Sequence, residues 1–407
     1  MNNKSTTIQL LLPQATDRFT TAASASRFAK AVLHRSLLGS GLVVMAVLLT
    51  GCNGKKASDQ TPSDSTAPSA ETTPSATPPA DAAVAEKLEG MGLKLERTKN
   101  AEVAAVNCLG IEVDDAMAET LAQLSSVKKL TLNQSKMTLQ GWKQLGKLKT
   151  LEHLDLRDCS LDNDQLAAIA AEMPLLRSLR LNGKSGATSV DDDGLAVLKN
   201  MPQLKVLSAD YLWVSEDGLA HLAKPEQLSE LYLAKTLVDD TSLEFIAGLT
   251  GLKKARLAQS SISSEGLKLL EKLPLEDLDI SECSQLDDAS MSSVGKMTTL
   301  KRLNLWRVAL TDEGIAHLAN LNNLEWLNLD NTRLSDAGVA YLSGMTKLKF
   351  LHLGSTSVSD AGLDALHPLT NLKDLKVTRT AVTAAGVEAV EQAIPGVSVQ
   401  LEYIEGE

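Results

Sequence analysis

Residues 103–396 repeat a single pattern about every 24 residues, and this repetition limits the folds open to the chain. A chain of 407 residues exceeds the size at which single hydrophobic cores stop growing. Self-similarity with a period of about 20 to 50 residues indicates a solenoid of stacked units. The composition agrees, because 43% of residues are hydrophobic and only 3% are aromatic, as expected of many small, similar layers. Twelve copies are present, beginning at Val103, Val127, Leu151, Leu176, Leu204, Leu228, Leu252, Leu275, Leu300, Leu324, Leu348 and Leu372.

Each copy combines a strand signal with a helix signal. In residues 324–329 (LEWLNL), the leucines at 327 and 329 alternate with other residues, which is the period-two pattern of a strand. The leucines are predicted to point inward, so stacked copies form a parallel sheet whose outer face lines a concave surface. The sequence Ser-Asp-Ala-Gly follows at 335–338. Serine is a preferred helix N-cap and aspartate in the first turn complements the helix dipole, so short helices are predicted on the convex side.

The L-x-x-L-x-L core of these copies resembles that of leucine-rich-repeat proteins, and the resemblance covers residues 103–396. It implies an α/β fold, a right-handed leucine-rich-repeat solenoid with a parallel concave sheet and short convex helices. The terminal layers of a solenoid need caps. We predict an N-terminal cap at residues 83–102, with a short helix and then a hairpin of residues 93–97 with 103–107. Residues 397–407 are predicted to form a C-terminal strand and tail.

The N-terminal region has the pattern of an export signal. Residues 37–49 are an apolar run of 13 residues, preceded by Arg27, Lys30 and Arg35. A transmembrane helix needs about 20 residues, and a shorter apolar run behind basic residues is typical of a signal peptide. The run ends Leu-Thr-Gly-Cys at Cys52, which resembles the lipobox of bacterial lipoproteins. The resemblance implies that residues 1–51 are a lipoprotein signal peptide and that Cys52 is lipidated. An uncleaved anchor or an ordinary cleaved signal remains the alternative.

Residues 52–82 are predicted to hold the repeats away from the membrane. After Cys52 this segment is dominated by Ser, Thr, Pro, Ala and Asp, and it has too few large apolar side chains to bury a core. We interpret it as a disordered tether. The expected location is the cell envelope, with the lipid anchor in a membrane. Asn53, where an aspartate would favour the inner membrane, favours the outer membrane or the cell surface.

The net charge argues against nucleic-acid binding, and the positions of the cysteines argue against an intramolecular disulfide. The formal net charge is −11, so the chain repels phosphate backbones and nucleic acid is not an expected partner. Cys108 and Cys159 lie two copies apart, or about 10 Å at the spacing of stacked strands, and Cys283 lies still farther along. A disulfide needs Cα atoms within about 7 Å. We therefore predict no intramolecular disulfide.

The sequence contains no motif that predicts catalysis. There is no H-E-x-x-H, C-x-x-C or G-x-S-x-G sequence and no phosphate-binding glycine loop. We predict that the protein is not an enzyme and has no catalytic residue, cofactor or metal. One row of aspartates has the regularity of a calcium ladder, although helix capping explains each member without an ion. The row consists of Asp240, Asp288, Asp312, Asp336 and Asp360.

A partner-binding site is predicted on the concave face, where the sequence changes from charged to aromatic. The earlier positions are mostly charged or polar: Lys129, His153, Asp155, Arg157, Arg180, Glu230, Lys254, Arg256, Asp277 and Asp279. Three large rings then follow on three adjacent predicted strands, and tryptophan and arginine are enriched at binding hot spots. The predicted partner-binding residues are Arg302, Trp306, Trp326, Asn328, Asp330, Phe350 and His352. The alternative is that these rings only pack over their neighbours. Trp213, beyond its own strand, is predicted to pack locally.

Three interpretations of function follow from these predictions. The first is a membrane-anchored, exported protein that binds a protein or polysaccharide partner through its concave face. The second is a structural scaffold of the envelope that associates with copies of itself. The third rests on resemblance alone, because repeats of this length also resemble the substrate receptors of ubiquitin ligases. The predicted export signal contradicts an intracellular adaptor of that kind.

Overall fold

A computed structural model of the chain describes residues 81–171 and 173–402, which form one long sheet with a short helix after most of its strands. The strands follow one another in sequence order from first to last. All neighbouring pairs are parallel except the first, in which the N-terminal strand runs antiparallel to the second. The predicted signal peptide, the predicted lipidation site Cys52, nearly all of the tether and the tail after residue 402 lie outside the described residues.

The sheet contains 14 strands, most of them three residues long. They are β1 (Lys94–Arg97), β2 (Val103–Asn107), β3 (Lys129–Thr131), β4 (His153–Asp155), β5 (Ser178–Asn182), β6 (Val206–Asp210), β7 (Glu230–Tyr232), β8 (Lys254–Arg256), β9 (Asp277–Asp279), β10 (Arg302–Asn304), β11 (Trp326–Asn328), β12 (Phe350–His352), β13 (Asp374–Lys376) and β14 (Ser398–Gln400). The antiparallel pairing of β1 with β2 is the predicted N-terminal hairpin.

Short helices alternate with the strands. The α-helices are α1 (Ala82–Gly90), α2 (Asp115–Leu121), α3 (Leu139–Leu145), α4 (Asn163–Ala170), α5 (Glu216–Leu219), α6 (Asp240–Ile246), α7 (Ser264–Leu270), α8 (Met291–Val294), α9 (Asp312–Ala316), α10 (Asp336–Val339), α11 (Asp360–Leu363) and α12 (Ala384–Ala393). The part of the chain that the structure describes also has five 3-10 segments, at Gly194–Asn200, Pro225–Gln227, Asp288–Ser290, Ala340–Leu342 and Asp364–Leu366. Among the described residues, no helix is long and apolar enough to span a membrane.

The core is a set of leucine rows that run from repeat to repeat. The middle residue of each strand lies opposite its equivalent in the next strand, as Leu303 does with Leu327 and Leu327 with Leu351. All three are fully buried. The residues on either side of them point to the other face of the sheet, because side chains alternate along a strand. We call this second surface the sheet face, defined by the first and third residues of each strand.

After most strands, one residue with a left-handed backbone conformation turns the chain away from the sheet. Arg307, for example, has φ of 56°, and its N–H donates to the carbonyl of Asp330 in the next repeat. Left-handed backbone costs a non-glycine residue about 1–2 kcal/mol. The hydrogen bonds between repeats offset that cost, so the same bend recurs along the array. The equivalent left-handed residues are Gln134, Asp158, Tyr211, Lys235, Gln259, Glu282, Arg307, Asn331, Ser355 and Arg379.

The aspartates at the helix starts join neighbouring repeats. Asp312 opens α9, and its carboxylate accepts hydrogen bonds from the N–H (2.8 Å) and Oγ (2.5 Å) of Ser335 in the next repeat. Ser335 is in turn the N-cap of α10. Gly338 lies against the same carboxylate, where a Cβ atom would collide with Asp312 Oδ1. We call this arrangement the aspartate clasp. It recurs in the pairs Asp115–Thr138, Asp192–Ser215, Asp240–Ser263, Asp288–Thr311, Asp312–Ser335, Asp336–Ser359 and Asp360–Thr383.

The clasp corrects one part of the sequence interpretation. Ser335 and Ser359 cap the helices that follow them, as predicted. The aspartates, however, were predicted to act on their own helices, and their carboxylates instead bond to the cap of the next repeat. A carboxylate that accepts two hydrogen bonds is held in its charged form, and the bonds from Thr383 lower the pKa of Asp360.

Replacing Asp312 with alanine is expected to lower the free energy of unfolding by about 2 kcal/mol, because two hydrogen bonds to a charged group are lost between repeats. Urea unfolding followed by circular dichroism measures the change. Asp364→Ala is the matched control, since 75% of the Asp364 side chain is exposed and it forms an ion pair only with His367 among the described residues. That variant should stay within about 0.5 kcal/mol of the parent. Equal losses for the two variants would show that the clasp contributes nothing.

Candidate functional site

The sheet face is divided into a charged half and an aromatic part. Strands β7–β9 carry paired charges. Glu230 Oε1 lies 2.9 Å from Lys254 Nζ, and its Oε2 accepts from the Tyr232 hydroxyl at 2.8 Å. Burial acts to raise the pKa of Glu230, but the hydrogen bonds from Lys254 and Tyr232 outweigh it and lower that pKa. Arg256 similarly lies between Asp210 (3.2 Å) and Asp279 (3.4 Å). Charges in this half are therefore largely satisfied within the protein.

The aromatic part is built around a row of stacked side chains on β10, β11 and β12, which we call the ring ladder: Arg302, Trp326 and Phe350. Their strands pair in register, with Arg302 opposite Trp326 and Trp326 opposite Phe350. The guanidinium carbon of Arg302 lies 3.3 Å from the centroid of the Trp326 ring. The Trp326 and Phe350 rings stack with centroids 4.8 Å apart and planes 5° from parallel. The faces of Trp326 are thus covered on both sides.

The stacking is relevant to the alternative prediction, in which the rings pack over their neighbours and bind no partner. Trp306, Trp326 and Phe350 are half-buried, so none of them projects freely into solvent. Rings that stack across neighbouring strands stand on the sheet with their edges outward. The stacking stabilises the sheet and also fixes the positions of the rings before anything binds. Packing and binding are therefore compatible uses of the same three side chains.

The remaining predicted residues surround the ladder. Asn328 Oδ1 accepts from the N–H of Asp330 at 2.9 Å, which fixes the turn after β11. The His352 ring meets Phe350 edge-on, with centroids 6.4 Å apart and planes at 77°. A Cβ atom on Gly354 would lie 2.8 Å from His352 Nε2 and 3.0 Å from Asp330 Oδ1, so these two groups converge over the glycine. Burial lowers the pKa of His352, and the positive charge of Lys376 adds to this, while Asp330 opposes it.

All seven predicted partner-binding residues therefore lie on three adjacent strands and the turns that follow them. Trp306 lies beyond the end of β10, with the guanidinium carbon of Arg307 5.4 Å from its ring centroid. Trp306 occupies the repeat position that Asp330 occupies one repeat later, because the N–H of Arg307 bonds to the carbonyl of Asp330. The resulting patch combines three rings, one arginine, one histidine and two short polar side chains.

The prediction for Trp213 is wrong. Its side chain was expected to pack locally, but 73% of the residue is exposed, more than any other large hydrophobic residue among those described. Leu212 and Val214 on either side are buried, so Trp213 occupies the outward position of an alternating pattern. That alternation was readable in the sequence. Trp213 lies nine residues after Leu204, the first residue of its copy, just as Leu237 lies nine residues after Leu228.

Other candidate groups do not assemble into a second chemical site. Among residues 81–171 and 173–402, no group of three or more His, Cys, Asp or Glu side chains is placed to hold a metal ion. Cys108, Cys159 and Cys283 are free, buried thiols. Burial raises the pKa of Cys108 to about 12 and that of Cys159 to about 11, which keeps these thiols protonated and unreactive.

Comparison with known proteins gives the same fold. The family description "Leucine Rich repeat" matches residues 147–170 and 344–366. An internalin (inlF) from Listeria monocytogenes is similar in structure over 81% of this chain and 93% of its own, with a TM-score of 0.51 and 22% identity. The fold is a leucine-rich-repeat solenoid.

Two further bacterial repeat structures resemble the solenoid less closely. A leucine-rich-repeat protein from Leptospira interrogans covers 70% of this chain and 80% of its own, at 18% identity and a TM-score of 0.42. An internalin C2 (inlC2) from Listeria monocytogenes covers 59% of this chain and 83% of its own, at 18% identity and a TM-score of 0.38. No curated protein matches the chain in sequence.

Proposed function

We propose that this leucine-rich-repeat protein is exported, anchored to a membrane through Cys52, and binds a protein partner with the patch around the ring ladder. The observation that carries the proposal is the stack of Arg302, Trp326 and Phe350 on the sheet face. Large rings on a face open to solvent provide apolar area that a partner can cover. A binding role fits the described residues, among which no group of His, Cys, Asp or Glu side chains is placed to hold a metal ion.

The ladder suits binding because its side chains are already ordered. A partner that meets free side chains must restrict them, at a cost of about 0.5–1.5 kcal/mol for each flexible side chain. Trp326 is held between Arg302 and Phe350 before binding, so little of that cost arises there. Tryptophan and arginine are also the residues that most often dominate protein interfaces. Glu230 and Arg256 have ion-pair partners within the sheet and would have to exchange them, whereas in the ladder only Arg302 has one, Asp277 at 3.6 Å.

The proposed anchor rests on the sequence before residue 53, which lies outside the described residues. Two or more acyl chains give stable membrane attachment, whereas one gives only marginal binding. We propose a location at the cell envelope, in the outer membrane or at the cell surface.

Replacing Cys52 with serine is expected to move the protein from the membrane fraction to the soluble or secreted fraction, because the thiol proposed to be acylated is removed. Metabolic labelling with palmitate and immunoblotting of cell fractions measure both effects. Cys108→Ser is the matched control, because Cys108 is buried in the repeats and should leave labelling unchanged. A Cys52→Ser protein that stays in the membrane and remains labelled would contradict the anchor.

The experiment that tests binding is affinity capture with the purified full chain from envelope extract and from culture medium. The parent is compared with a variant that carries Trp306→Ala, Trp326→Ala and Phe350→Ala together. A second triple variant, Lys129→Ala, Ser178→Ala and Val206→Ala, changes the first residues of strands β3, β5 and β6 on the same face.

Circular dichroism must first show that both variants fold like the parent. The proposal predicts a protein captured by the parent and by the second variant, and lost with the aromatic variant. Capture that survives loss of all three rings would contradict it. Capture of further copies of this chain alone would instead support a self-associating scaffold, and capture of a polysaccharide alone would support glycan binding.

A further inference from the structure

Two neighbouring repeats carry large apolar side chains at a position where other repeats carry small or charged ones. The position follows the left-handed turn after the strand and points to solvent. Trp213 and Leu237 occupy it after β6 and β7, and 73% and 47% of these residues are exposed. Elsewhere the same exposed position holds Ser261, Ala309, Arg333, Ser357 and Ala381. Trp213 and Leu237 are therefore additions to the repeat pattern, and the packing of the core does not require them.

These two side chains border a hollow of ≈ 420 Å³, which also includes Tyr211, Lys184 and Lys235 in its lining. The Lys184 and Lys235 ammonium nitrogens lie 5.8 Å and 5.7 Å from the centroid of the Tyr211 ring. The hollow has the size of a small-ligand or side-chain pocket, for which about 300–1,000 Å³ is usual. It lies along the turns that follow β5, β6 and β7, apart from the ring ladder on β10–β12.

Among the residues that the structure describes, the two lysines of this hollow have no acidic partner. Within the described residues, neither Lys184 nor Lys235 lies within salt-bridge distance of a carboxylate, and their ring contacts are with Tyr211. Many lysines on this protein do have such partners, as Lys254 has Glu230 and Lys349 has Glu325. The two ammonium groups lie beside the Tyr211 ring in a chain whose net charge is −11, so they are positive charges on a protein that is acidic as a whole.

The backbone around the hollow is fixed by hydrogen bonds between repeats. The N–H of Tyr211 donates to the carbonyl of Ala234 at 2.7 Å, and that of Leu237 donates to the carbonyl of Val214 at 3.0 Å. Lys184 lies in the inserted turn, which closes through a 2.9 Å bond from the N–H of Gly186 to the carbonyl of Gly183. The side chains thus project from an ordered frame, and such a frame lowers the cost of binding.

We propose that this hollow, lined by Lys184, Tyr211, Trp213, Lys235 and Leu237, binds an acidic peptide segment of a partner protein, with an aromatic or aliphatic residue between carboxylates. The apolar residue would cover Trp213 and Leu237, and the carboxylates would pair with the two lysines. The flexible four-carbon stems of the two lysines let their ammonium groups reach carboxylates on either side of the apolar residue. Aliphatic lining beside the rings favours a peptide side chain over a sugar.

The test is selection from a random seven-residue peptide library displayed on phage, with the purified full chain as target. The consensus peptide is then synthesised and its affinity measured by fluorescence anisotropy. The variants are Trp213→Ala, the double variant Lys184→Gln and Lys235→Gln, and Arg333→Ala as the matched control. Arg333 occupies the position of Trp213 in a distant repeat and is also exposed. All of these residues are exposed, so the fold should be unaffected.

The proposal predicts enriched peptides that carry two or more acidic residues around an apolar one. The Trp213→Ala and double-lysine variants should each weaken binding of the consensus peptide at least tenfold, and Arg333→Ala should not. Added salt should weaken binding to the parent. Enrichment of neutral or basic peptides, absence of enrichment, or equal binding to all variants would overturn it. Binding of anionic oligosaccharides that requires Trp213, without any peptide enrichment, would also overturn it.

Because this hollow and the ring ladder share no residue, the two proposals can fail separately. Loss of the aromatic ladder should leave the selected peptide bound, and loss of Trp213 should leave the partner captured through the ladder.

Discussion

Replacing Trp142 with alanine is expected to lower the free energy of unfolding by about 3–5 kcal/mol, the usual cost of removing a buried tryptophan. Trp142 lies in α3 and is 0% exposed, the largest fully buried side chain among the described residues. The surrounding core is made mainly of leucine, which cannot fill the space of an indole ring. In a solenoid each repeat contacts mainly its neighbours, so the loss should weaken both interfaces of one repeat. Urea unfolding followed by circular dichroism measures the change.

The variant Trp142→Phe is measured beside Trp142→Ala for comparison. The indole Nε1 of Trp142 has no hydrogen-bond partner within the described residues. Trp142→Phe removes this unsatisfied donor and keeps most of the ring, so its cost should be well below that of alanine. If Trp142→Ala lost less than about 1 kcal/mol, the ring would not be an essential part of the repeat core.

Truncating Trp326 to alanine is expected to weaken binding of the captured partner by about 2 kcal/mol or more, or roughly 30-fold in Kd. The change removes the ring from between Arg302 and Phe350, so it deletes apolar contact area and releases two side chains that were fixed. Surface plasmon resonance with the purified partner measures the change.

Two variants separate binding from stability. Trp326→Phe keeps a ring that can stack and should recover part of the affinity. Lys254→Ala lies at the equivalent first position of β8, in the charged half of the sheet face, and should change the affinity little. If Lys254→Ala weakened binding as much as Trp326→Ala, the partner would cover the charged half of the sheet instead of the ladder.

The repeat pattern predicted the fold because the same strand and helix signals recur from repeat to repeat. Leucines at 327 and 329 alternate within a strand, and Ser335 caps a helix, so strand and helix could be read from a few neighbouring residues. The role of Asp312 could not be read in this way. From the sequence alone, an aspartate in the first turn is expected to interact with the N-terminus of its own helix. Its hydrogen bonds to Ser335 appear only when one repeat is stacked on the next.

The site was partly predictable for a similar reason. Alternation along the strands placed Trp326 and Phe350 on the outer face, and the register of the sheet brings them side by side. Sequence could not show that the rings stack or that Arg302 covers Trp326, because those contacts depend on side-chain rotation. Trp213 was expected to pack because it lies in the turn beyond its strand, but Leu212 and Val214 take the buried positions there and leave Trp213 pointing outward.

Photo-crosslinking in intact cells of the producing organism tests whether the ring ladder contacts a protein partner. The photoreactive amino acid benzoylphenylalanine replaces Phe350 in the ring ladder, and in a second protein it replaces Tyr341. Tyr341 lies in the Ala340–Leu342 segment away from the strands and is 45% exposed, so it reports chance encounters. If the ring ladder binds a protein partner, illumination gives a defined protein adduct from position 350 and none from position 341. No adduct from position 350, or adducts only to further copies of this chain, would contradict a protein-binding sheet face.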